Sequence, residues 1–239
     1  MHFFTSSAFT EDSSAVNPQN NFVKRLKERL PDGEISICYI TSSPDAIEIN
    51  DLYAGVSRDA FLRTGFELAR FTLIDRRNQE TIAEEITKAD LLFLSGGHVP
   101  TQNRFFHDLA LKELIASFKG VIIGSSAGSM NASDPVYVQV EEEGEAKDPN
   151  FPKLLPGLGL YSAHIIPHLQ EVRHATVDGL RIFEDIAFPD SFQWTLLALP
   201  DGSYIHVENN VTTLYGEAFE IKNGAMRQIC SEGESISLG

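Results

Sequence analysis

The sequence has few cysteines, few basic residues and no long apolar run, and each shortage excludes a class of protein. Two cysteines among 239 residues, Cys38 and Cys230, allow one disulfide at most, which excludes a disulfide-built secreted scaffold. No run approaches the roughly 18 consecutive apolar residues of a membrane-spanning helix. Lysine and arginine number 19 against 34 acidic residues, a formal net charge of −15. Such a surface repels phosphate backbones and anionic lipids, so we expect neither nucleic acid nor membrane as a partner.

The rest of the composition is that of a globular protein. With 42% hydrophobic residues, the chain can bury the core of one sizeable α/β domain, which we expect to span residues 1–239. The first residues lack a basic leader followed by an apolar core, so no signal peptide and a cytoplasmic location are predicted. Neither cysteine has a second ligand at zinc spacing, and no metal site is expected. The sequence does not determine the oligomeric state and leaves a homodimer open.

Apolar and amphipathic segments alternate through the first half of the chain. The runs "HFFTS", "EISICYI", "FTLID", "LLFLSGG" and "GVIIGSS" read as strands, and several are apolar throughout, as strands covered on both faces are. Helical patterns lie between them over residues 20–33, 56–70, 78–90 and 105–120. This alternation predicts a doubly wound, mainly parallel sheet flanked by helices.

The second half of the chain has strand-like segments with few helices between them. They are "GLGLYSAHII", "SYIHVEN", "VTTLYG" and "AFEIKNGAMRQI", and the turn sequences "PDGS" and "KNG" indicate hairpins. We expect these segments to add antiparallel strands at one edge of the parallel sheet, within the same domain.

The segment "GSSAG", residues 124–128, fits the G-x-S-x-G pattern of a nucleophile elbow centred on Ser126. A serine on a tight strand-to-helix turn needs small residues on both sides, because a β-carbon there would clash with the crossing backbone. The following helix directs free N–H groups at the site. Ser125 is the competing serine but lacks symmetric glycine flanks. A turn of small residues that serves packing alone is the alternative.

A second strand ends in the glycine pair of "LSGGH". Consecutive glycines let the backbone approach a substrate closely, and the N–H of Gly97 can supply one half of an oxyanion hole. The N–H of Ala127, the residue after the serine, would supply the other half. A plain glycine turn is again the alternative.

A serine nucleophile needs a base and an acid to orient that base. Among seven histidines, His168 in "IIPHL" lies where a strand-like run meets a helix, which suits a base. The acidic run "EEE" supplies candidates for the acid, although such a run is commonly a solvated loop. The candidates are Glu141, Glu142 and Glu143, with Asp201 and Glu208 later in the chain.

Taken together, "FLSGGH", "IIGSSAGSMNAS", "LPGLGL" and "IIPHL" resemble the serine peptidases of the dipeptidase E and cyanophycinase family, peptidase family S51. The resemblance covers roughly residues 35–215 and implies a fold like that of class I glutamine amidotransferases, a flavodoxin-like arrangement. It implies that Ser126 is the nucleophile and His168 its base. It also implies an oxyanion hole formed by Gly97 and Ala127.

The two branches of that family place the acid differently. The dipeptidase branch has it a short way after the serine, which falls on Glu141, or on Glu142 if one residue is inserted. The cyanophycinase branch has it just before the histidine, where this sequence has Ile166, so the cyanophycinase arrangement is not expected.

The resemblance also bears on the substrate. The dipeptidase branch cleaves after an N-terminal aspartate, whose carboxylate needs a cation, and Arg173 and Arg181 are the positions available. The segment "GGHVPTQN" departs from the usual family run after the glycine pair, so Gly96 and His98 are expected to line a differently shaped pocket, together with Thr101 and Gln102.

These observations predict a serine hydrolase that cleaves an amide bond in a small peptide, such as an aspartyl dipeptide, through an acyl-enzyme. The mechanism needs neither metal nor organic cofactor. Two rivals stay open. One is an amidotransferase-like binding or regulatory protein that does not hydrolyse its ligand. The other is an α/β-hydrolase esterase, which expects its histidine after the acid and near the C-terminus, where only His174 and His206 follow.

Overall fold

The structure is a computed structural model that describes residues 1–238. Within them the chain forms sixteen strands: β1 (His2–Thr5), β2 (Glu34–Ile40), β3 (Glu67–Ile74), β4 (Leu91–Leu94), β5 (Val121–Ser125), β6 (Val136–Tyr137), β7 (Leu154–Leu155), β8 (His164–Ile166), β9 (Thr176–Val177), β10 (Leu180–Arg181), β11 (Leu196–Ala198), β12 (Tyr204–Glu208), β13 (Val211–Tyr215), β14 (Ala218–Lys222), β15 (Ala225–Cys230) and β16 (Ser235–Leu238).

The helices lie mostly between the strands of the first half. They are α1 (Phe22–Lys27), α2 (Ile47–Arg63), α3 (Ile82–Lys88), α4 (Val99–Asp108), α5 (Leu111–Ile115), α6 (Ala127–Ala132), α7 (Leu169–Val172) and α8 (Phe188–Asp190). Short 3-10 turns cover Gln19–Asn21, Gln79–Thr81 and Glu145–Lys147, and a π-helical segment covers Ile182–Ala187. None of the helices in residues 1–238 combines the length and the apolarity needed to cross a bilayer.

An eight-stranded sheet with the order β16-β13-β12-β1-β5-β4-β2-β3 forms the centre of the molecule. Five neighbouring strands, β1, β5, β4, β2 and β3, are parallel to one another. On the other side of β1, the strands β12, β13 and β16 continue the sheet with antiparallel pairing. The predicted fold class, a mainly parallel sheet with helices and antiparallel strands at one edge, is confirmed.

Strand β4, inside the parallel part of the sheet, is apolar throughout because both of its faces are buried. In β4, Leu92 and Leu94 pack into one core cluster, while Leu91 and Phe93 pack into a second cluster on the opposite face. Alternating side chains of a strand point to opposite faces, so an uninterrupted apolar run is what a doubly covered strand requires.

The hairpin of β14 and β15 does not join the central sheet, contrary to the sequence expectation for that segment. It forms a separate four-stranded sheet of order β15-β14-β11-β8, in which β11 and β8 are parallel. Ile166, Leu196 and Ile221 of this sheet are buried in a third apolar cluster, which gives the second sheet a core of its own. The segment "GLGLYSAHII" contributes only the short strand β8 to it.

Two predicted helices have different bounds in the structure. The helix expected over residues 56–70 begins at Ile47 and ends at Arg63, and Glu67–Ile74 is strand β3. Gly65, with φ of +80°, makes the turn between them, a backbone conformation that favours glycine. The helix expected over residues 105–120 is two helices, α4 and α5, which are separated where Ala110 takes φ of +48°.

The carboxyl ends of four parallel strands meet at one edge of the central sheet. Thr5 of β1 pairs with Ser125 of β5, Gly124 with Leu94 of β4, and Leu94 with Ile40 of β2. Ligands of open α/β sheets bind beyond this edge, and every short turn that leaves it carries small or hydroxyl residues, such as "TSS" at residues 41–43 and "SGG" at 95–97.

Candidate active site

Ser126 lies on the turn between β5 and α6 with φ of +50° and ψ of −115°, outside the regions that L-residues normally occupy. The surrounding glycines are sterically required. A Cβ on Gly124 would lie 2.8 Å from the carbonyl carbon of Gly128, and a Cβ on Gly128 would lie 2.2 Å from the carbonyl oxygen of Leu94. A nucleophile elbow needs this close backbone crossing, and the strained backbone exposes the serine above the sheet.

Ser125 has a different environment. Its Oγ accepts a hydrogen bond from the backbone N–H of Ala8 at 3.1 Å, and the residue is buried. The hydroxyl of Ser125 therefore holds the chain that follows β1, while Ser126 is the serine on the turn.

Gly97 and Ala127 belong to the turns that follow the neighbouring strands β4 and β5. Ala127 is the first residue of α6, so its N–H has no partner inside the helix. Gly96 touches the turn directly, since a Cβ on Gly96 would lie 3.4 Å from Cβ of Ser126. Gly97 has φ of +139°, and a Cβ there would lie 2.1 Å from Oγ of Ser42. In residues 1–238 neither the Gly97 N–H nor the Ala127 N–H has a hydrogen-bond acceptor, so both are free to donate to a ligand.

His168 and Asp201 form a hydrogen bond just beyond the ends of two neighbouring strands of the second sheet, β8 and β11. Nδ1 of the histidine lies 2.9 Å from Oδ1 of the aspartate. The parallel register of β8 and β11 brings the two together, because each residue follows the end of its strand and the Leu199 N–H donates to the Ile166 carbonyl at 2.9 Å. The bond occupies Nδ1 and leaves Nε2 as the ring nitrogen that can accept a proton.

Two further side chains hold Asp201. Gln170 Nε2 donates to Oδ2 of Asp201 at 2.6 Å, and the Asp201 N–H donates to Oε1 of Gln170 at 3.1 Å. The buried Oγ of Ser6 lies 2.9 Å from Oδ1 of Asp201 and also accepts the His168 N–H at 2.7 Å. Asp201 is therefore fixed by hydrogen bonds on both carboxylate oxygens.

The pKa values of the pair move apart as those of an ion pair do. Burial lowers the pKa of His168, but the hydrogen bond and charge of Asp201 outweigh it, with help from Glu171 and Glu141, and the net pKa is raised above the ordinary 6.5. Burial raises the pKa of Asp201, but the hydrogen bond and charge of His168 bring it below its ordinary value. Near neutral pH the carboxylate is therefore ionised and favours the protonated imidazole.

Ser126 and His168 line the same cavity, which has a volume of about 660 Å³. Across residues 1–238 no hydrogen bond joins Oγ of Ser126 to the His168 ring, whose bond to Asp201 is made through Nδ1. In ligand-free enzymes the hydrogen bond from nucleophile to base is often long and shortens when substrate binds.

The acid that contacts the histidine differs from the one expected from the sequence. Glu141 and Glu142 make no hydrogen bond to His168 within the described chain; their backbone N–H groups donate to Oε2 of Glu145 at 2.8 and 2.9 Å, so the loop folds onto itself. Asp201, a candidate later in the chain, is the acid whose carboxylate contacts Nδ1 of His168.

Glu141 nevertheless lies near the histidine. Although the residue as a whole is exposed, burial of its carboxylate by nearby protein atoms raises the pKa of Glu141 to about 7. The charges of His98 and His168 lower this pKa, and the charge of Glu145 raises it. Glu141 therefore contributes charge to the surroundings of His168 and does not orient its ring.

The expected substrate-binding residues His98 and Arg173 lie outside the lining of the cavity, whereas Gly96 lies in it. His98 directly precedes α4; its Nδ1 lies 2.7 Å from Oγ1 of Thr101, and its Nε2 lies 2.7 Å from Oε1 of Glu145. Arg173 is exposed at the end of α7. Arg181 is exposed as well and pairs with Asp185 at 2.7 Å.

One group in residues 1–238 has side chains placed for a metal ion. Ligand atoms of His98, Glu142 and Glu145 lie within 4.8 Å of one another. The set is already occupied by internal bonds, since Glu145 accepts from the loop backbone and from the ring of His98. None of the three residues belongs to the lining of the cavity.

A serine on a strained strand-to-helix turn at the carboxyl edge of a mainly parallel sheet, with a half-buried His–Asp pair in or next to the same cavity, is an arrangement typical of α/β hydrolytic enzymes. The model of peptidase family S51 matches residues 5–215, and the chain belongs to that family. The protein is accordingly a peptidase, and the family resemblance expected from the motifs is confirmed.

Solved structures agree with this fold. A peptidase from an acI-B1 Actinobacterium superposes with a TM-score of 0.69 at 18% identity, covering 99% of this chain and 96% of that one. A putative peptidase E protein from Listeria monocytogenes EGD-e has a TM-score of 0.59 at 15% identity, with 95% and 98% covered. A comparison with curated proteins finds no match.

Proposed function

We propose that the protein is a serine peptidase that hydrolyses small peptides through an acyl-enzyme, with Ser126 as nucleophile, His168 as general base and acid, and Asp201 as the residue that orients the histidine. The observation that carries the proposal is the 2.9 Å contact between His168 and Asp201 at the rim of the cavity that contains Ser126. This is the constellation of a serine hydrolase, found by geometry and not by order in the chain.

In the proposed first half-reaction, Oγ of Ser126 attacks the scissile carbonyl carbon while Nε2 of His168 takes the hydroxyl proton. The carbonyl oxygen becomes an oxyanion that accepts hydrogen bonds from the N–H groups of Gly97 and Ala127. When the carbon–nitrogen bond breaks, His168 returns the proton to the leaving amine. Asp201 keeps the proton of the neutral ring on Nδ1 and stabilises the imidazolium.

In the second half-reaction water attacks the ester formed on Ser126. His168 takes a proton from the water and gives it to Oγ of Ser126 when the ester breaks, which restores the enzyme and releases the acid. No step requires a metal or an organic cofactor.

The test is the reactivity of Ser126. A fluorophosphonate that reacts with activated serines should label the wild-type protein at Ser126, and Ser126→Ala should abolish both labelling and peptide hydrolysis, lowering kcat by at least about 10³-fold. Ser117→Ala, on an exposed serine before β5, is the matched control and should leave both unchanged.

Retained turnover in Ser126→Ala, or label on a different serine, would overturn the mechanism. A wild-type protein that neither hydrolyses peptides nor reacts with the probe would instead be the amidotransferase-like binding protein.

A further inference from the structure

The cavity beside Ser126 carries almost no charge. Its walls come from β2, the turn after it, α2 and the turn after β4, and they present hydroxyl groups, backbone and apolar side chains. Among the lining residues in the described chain, the charged or titratable side chains at neutral pH are His168 and Glu171, and no lysine or arginine is among them.

A carboxylate side chain would find no lysine or arginine in this pocket, and the imidazole of His168 is already bonded to Asp201. Of the two arginines nearest in sequence to the histidine, Arg173 is exposed outside the lining, and Arg181 is bound to Asp185. Glu171 would repel a carboxylate, and its charge already contributes to the raised pKa of His168. An ionised group that leaves water without a partner is strongly disfavoured, so an aspartyl side chain does not suit the cavity.

Apolar surface makes up much of the remaining wall. Tyr39 stacks on Phe93 with ring centroids 5.3 Å apart, and Phe9 lies 5.5 Å from the same ring, which forms an aromatic floor. At the rim, Ile49 and Tyr53 of α2 are 53% and 59% exposed. Large apolar side chains exposed next to a cavity are typical of a surface that a ligand covers.

We infer that this pocket takes a neutral apolar or aromatic side chain of the peptide substrate and selects against an acidic one. The hydroxyl groups of Ser42 and Ser43 and the backbone around Gly96 can hydrogen-bond to the peptide, while the aromatic floor and the rim of α2 cover its side chain. This inference rests on the proposed function, because it names the substrates of the same serine.

The first measurement is kcat/KM of the wild-type protein for the dipeptides Phe-Ala, Leu-Ala, Asp-Ala and Lys-Ala. We expect Phe-Ala and Leu-Ala to exceed Asp-Ala by at least about tenfold, the scale on which one pocket contact discriminates substrates. A preference for Asp-Ala would overturn the inference and leave the serine mechanism standing.

The second measurement places a cation at the rim. Tyr53→Arg should lower the ratio of Phe-Ala to Asp-Ala turnover by about tenfold, because it removes an apolar wall and supplies a partner for the carboxylate. Leu52→Arg is the matched control: Leu52 is the neighbouring residue, 63% exposed, and does not line the cavity. If the Phe-Ala to Asp-Ala ratio changed equally in both variants, the cause would be the added surface charge, which would contradict the assignment of the pocket.

A binding measurement separates this inference from the mechanism. Calorimetric titration of Ser126→Ala with the same dipeptides should give tighter binding of Phe-Ala than of Asp-Ala whether or not the wild type hydrolyses them. If the wild type is inactive but this order holds, the proposed function fails and the pocket assignment stands. Reversed order, or no binding of any dipeptide, overturns the pocket assignment.

Discussion

Ser6 is a fully buried serine that contacts all three residues of the proposed triad. Its carbonyl accepts the Ser126 N–H at 3.2 Å, its Oγ accepts the His168 N–H at 2.7 Å, and the same Oγ lies 2.9 Å from Asp201. Ser6, just after β1, thus links nucleophile, base and acid: its carbonyl bonds to Ser126, and its hydroxyl contacts His168 and Asp201, which makes Ser6 a positioning residue.

Ser6→Ala is expected to lower kcat with little change in KM, because it loosens the triad without touching the pocket. Leaving the partly buried His168 N–H unpaired costs about 1–3 kcal/mol, which in the transition state is roughly 10- to 100-fold in kcat. Steady-state kinetics with Phe-Ala measure the split between kcat and KM.

The control for Ser6→Ala is Ser203→Ala, at an equally buried serine whose Oγ donates to the Glu217 carbonyl at 2.7 Å. It should destabilise the fold by a similar amount, measured by urea unfolding, and leave kcat unchanged. If kcat fell in both variants in proportion to their loss in the free energy of unfolding, Ser6 would have a structural role only.

The pH dependence of the reaction follows from the raised pKa of His168. The base must be neutral, so kcat/KM should rise with pH through a midpoint above 6.5, the ordinary histidine value. Asp201→Asn removes the main group that raises this pKa, so the midpoint should move to lower pH while kcat falls by about 10⁴-fold through loss of the correct tautomer.

Glu141→Gln distinguishes the two acids. It removes a charge that contributes less to the pKa of His168 than Asp201 does, so the midpoint should move down only slightly and kcat should stay within a few-fold of wild type. If Glu141→Gln and Asp201→Asn exchanged these phenotypes, the acid would be in the loop, as the family resemblance implies.

At the scale of elements, the crossing of β4, β5 and α6 depends on glycine. Gly128→Ala would place a methyl group 2.2 Å from the Leu94 carbonyl oxygen, so the helix or the strand must shift. We expect a loss of about 1–3 kcal/mol in the free energy of unfolding, as overpacking in a core costs, together with lost activity from the displaced serine turn.

Gly55→Ala is the matched control for Gly128→Ala. Gly55 lies within α2, and a Cβ there meets nothing within 4 Å. The substitution should stabilise the protein by about 0.5–1 kcal/mol, because alanine favours the helix. Denaturant unfolding of both variants measures the two effects, and a Gly128→Ala protein as stable as the wild type would contradict the packing argument.

The sequence predicts those parts of the fold and of the candidate site that depend on local chemistry. Apolar periodicity identifies the parallel strands, the spacing of Gly124 and Gly128 identifies the turn, and the pair Gly96 and Gly97 identifies a close backbone approach. Each of these signals lies within a few residues of the feature that it predicts.

The contact between His168 and Asp201 could not be predicted in the same way. It depends on the parallel pairing of the three-residue strands β8 and β11, which no local pattern specifies. Several acids follow the serine, and only the register of this second sheet selects among them. The break at Ala110 and the separate sheet of β14 and β15 are likewise set by tertiary packing.

At the scale of the whole molecule, the net charge of −15 surrounds a pocket that holds little charge. A negative field slows the approach of anionic substrates and favours cationic ones, and salt screens it over about 8 Å at 0.15 M. We expect kcat/KM for Asp-Ala to rise and for Lys-Ala to fall as sodium chloride increases, while Phe-Ala changes little. Parallel salt dependence of all three dipeptides would show that the field does not reach the site.

The contacts of Ser6 also have a consequence for biosynthesis. The site combines residues 6, 126, 168 and 201, and β1 lies between β5 and β12, strands supplied by much later parts of the chain. A nascent polypeptide that has not yet exposed Asp201 outside the ribosome has neither the partner of the histidine nor the strand β12 that flanks β1. The proposed catalytic site can therefore assemble only after the chain has been synthesised past residue 201.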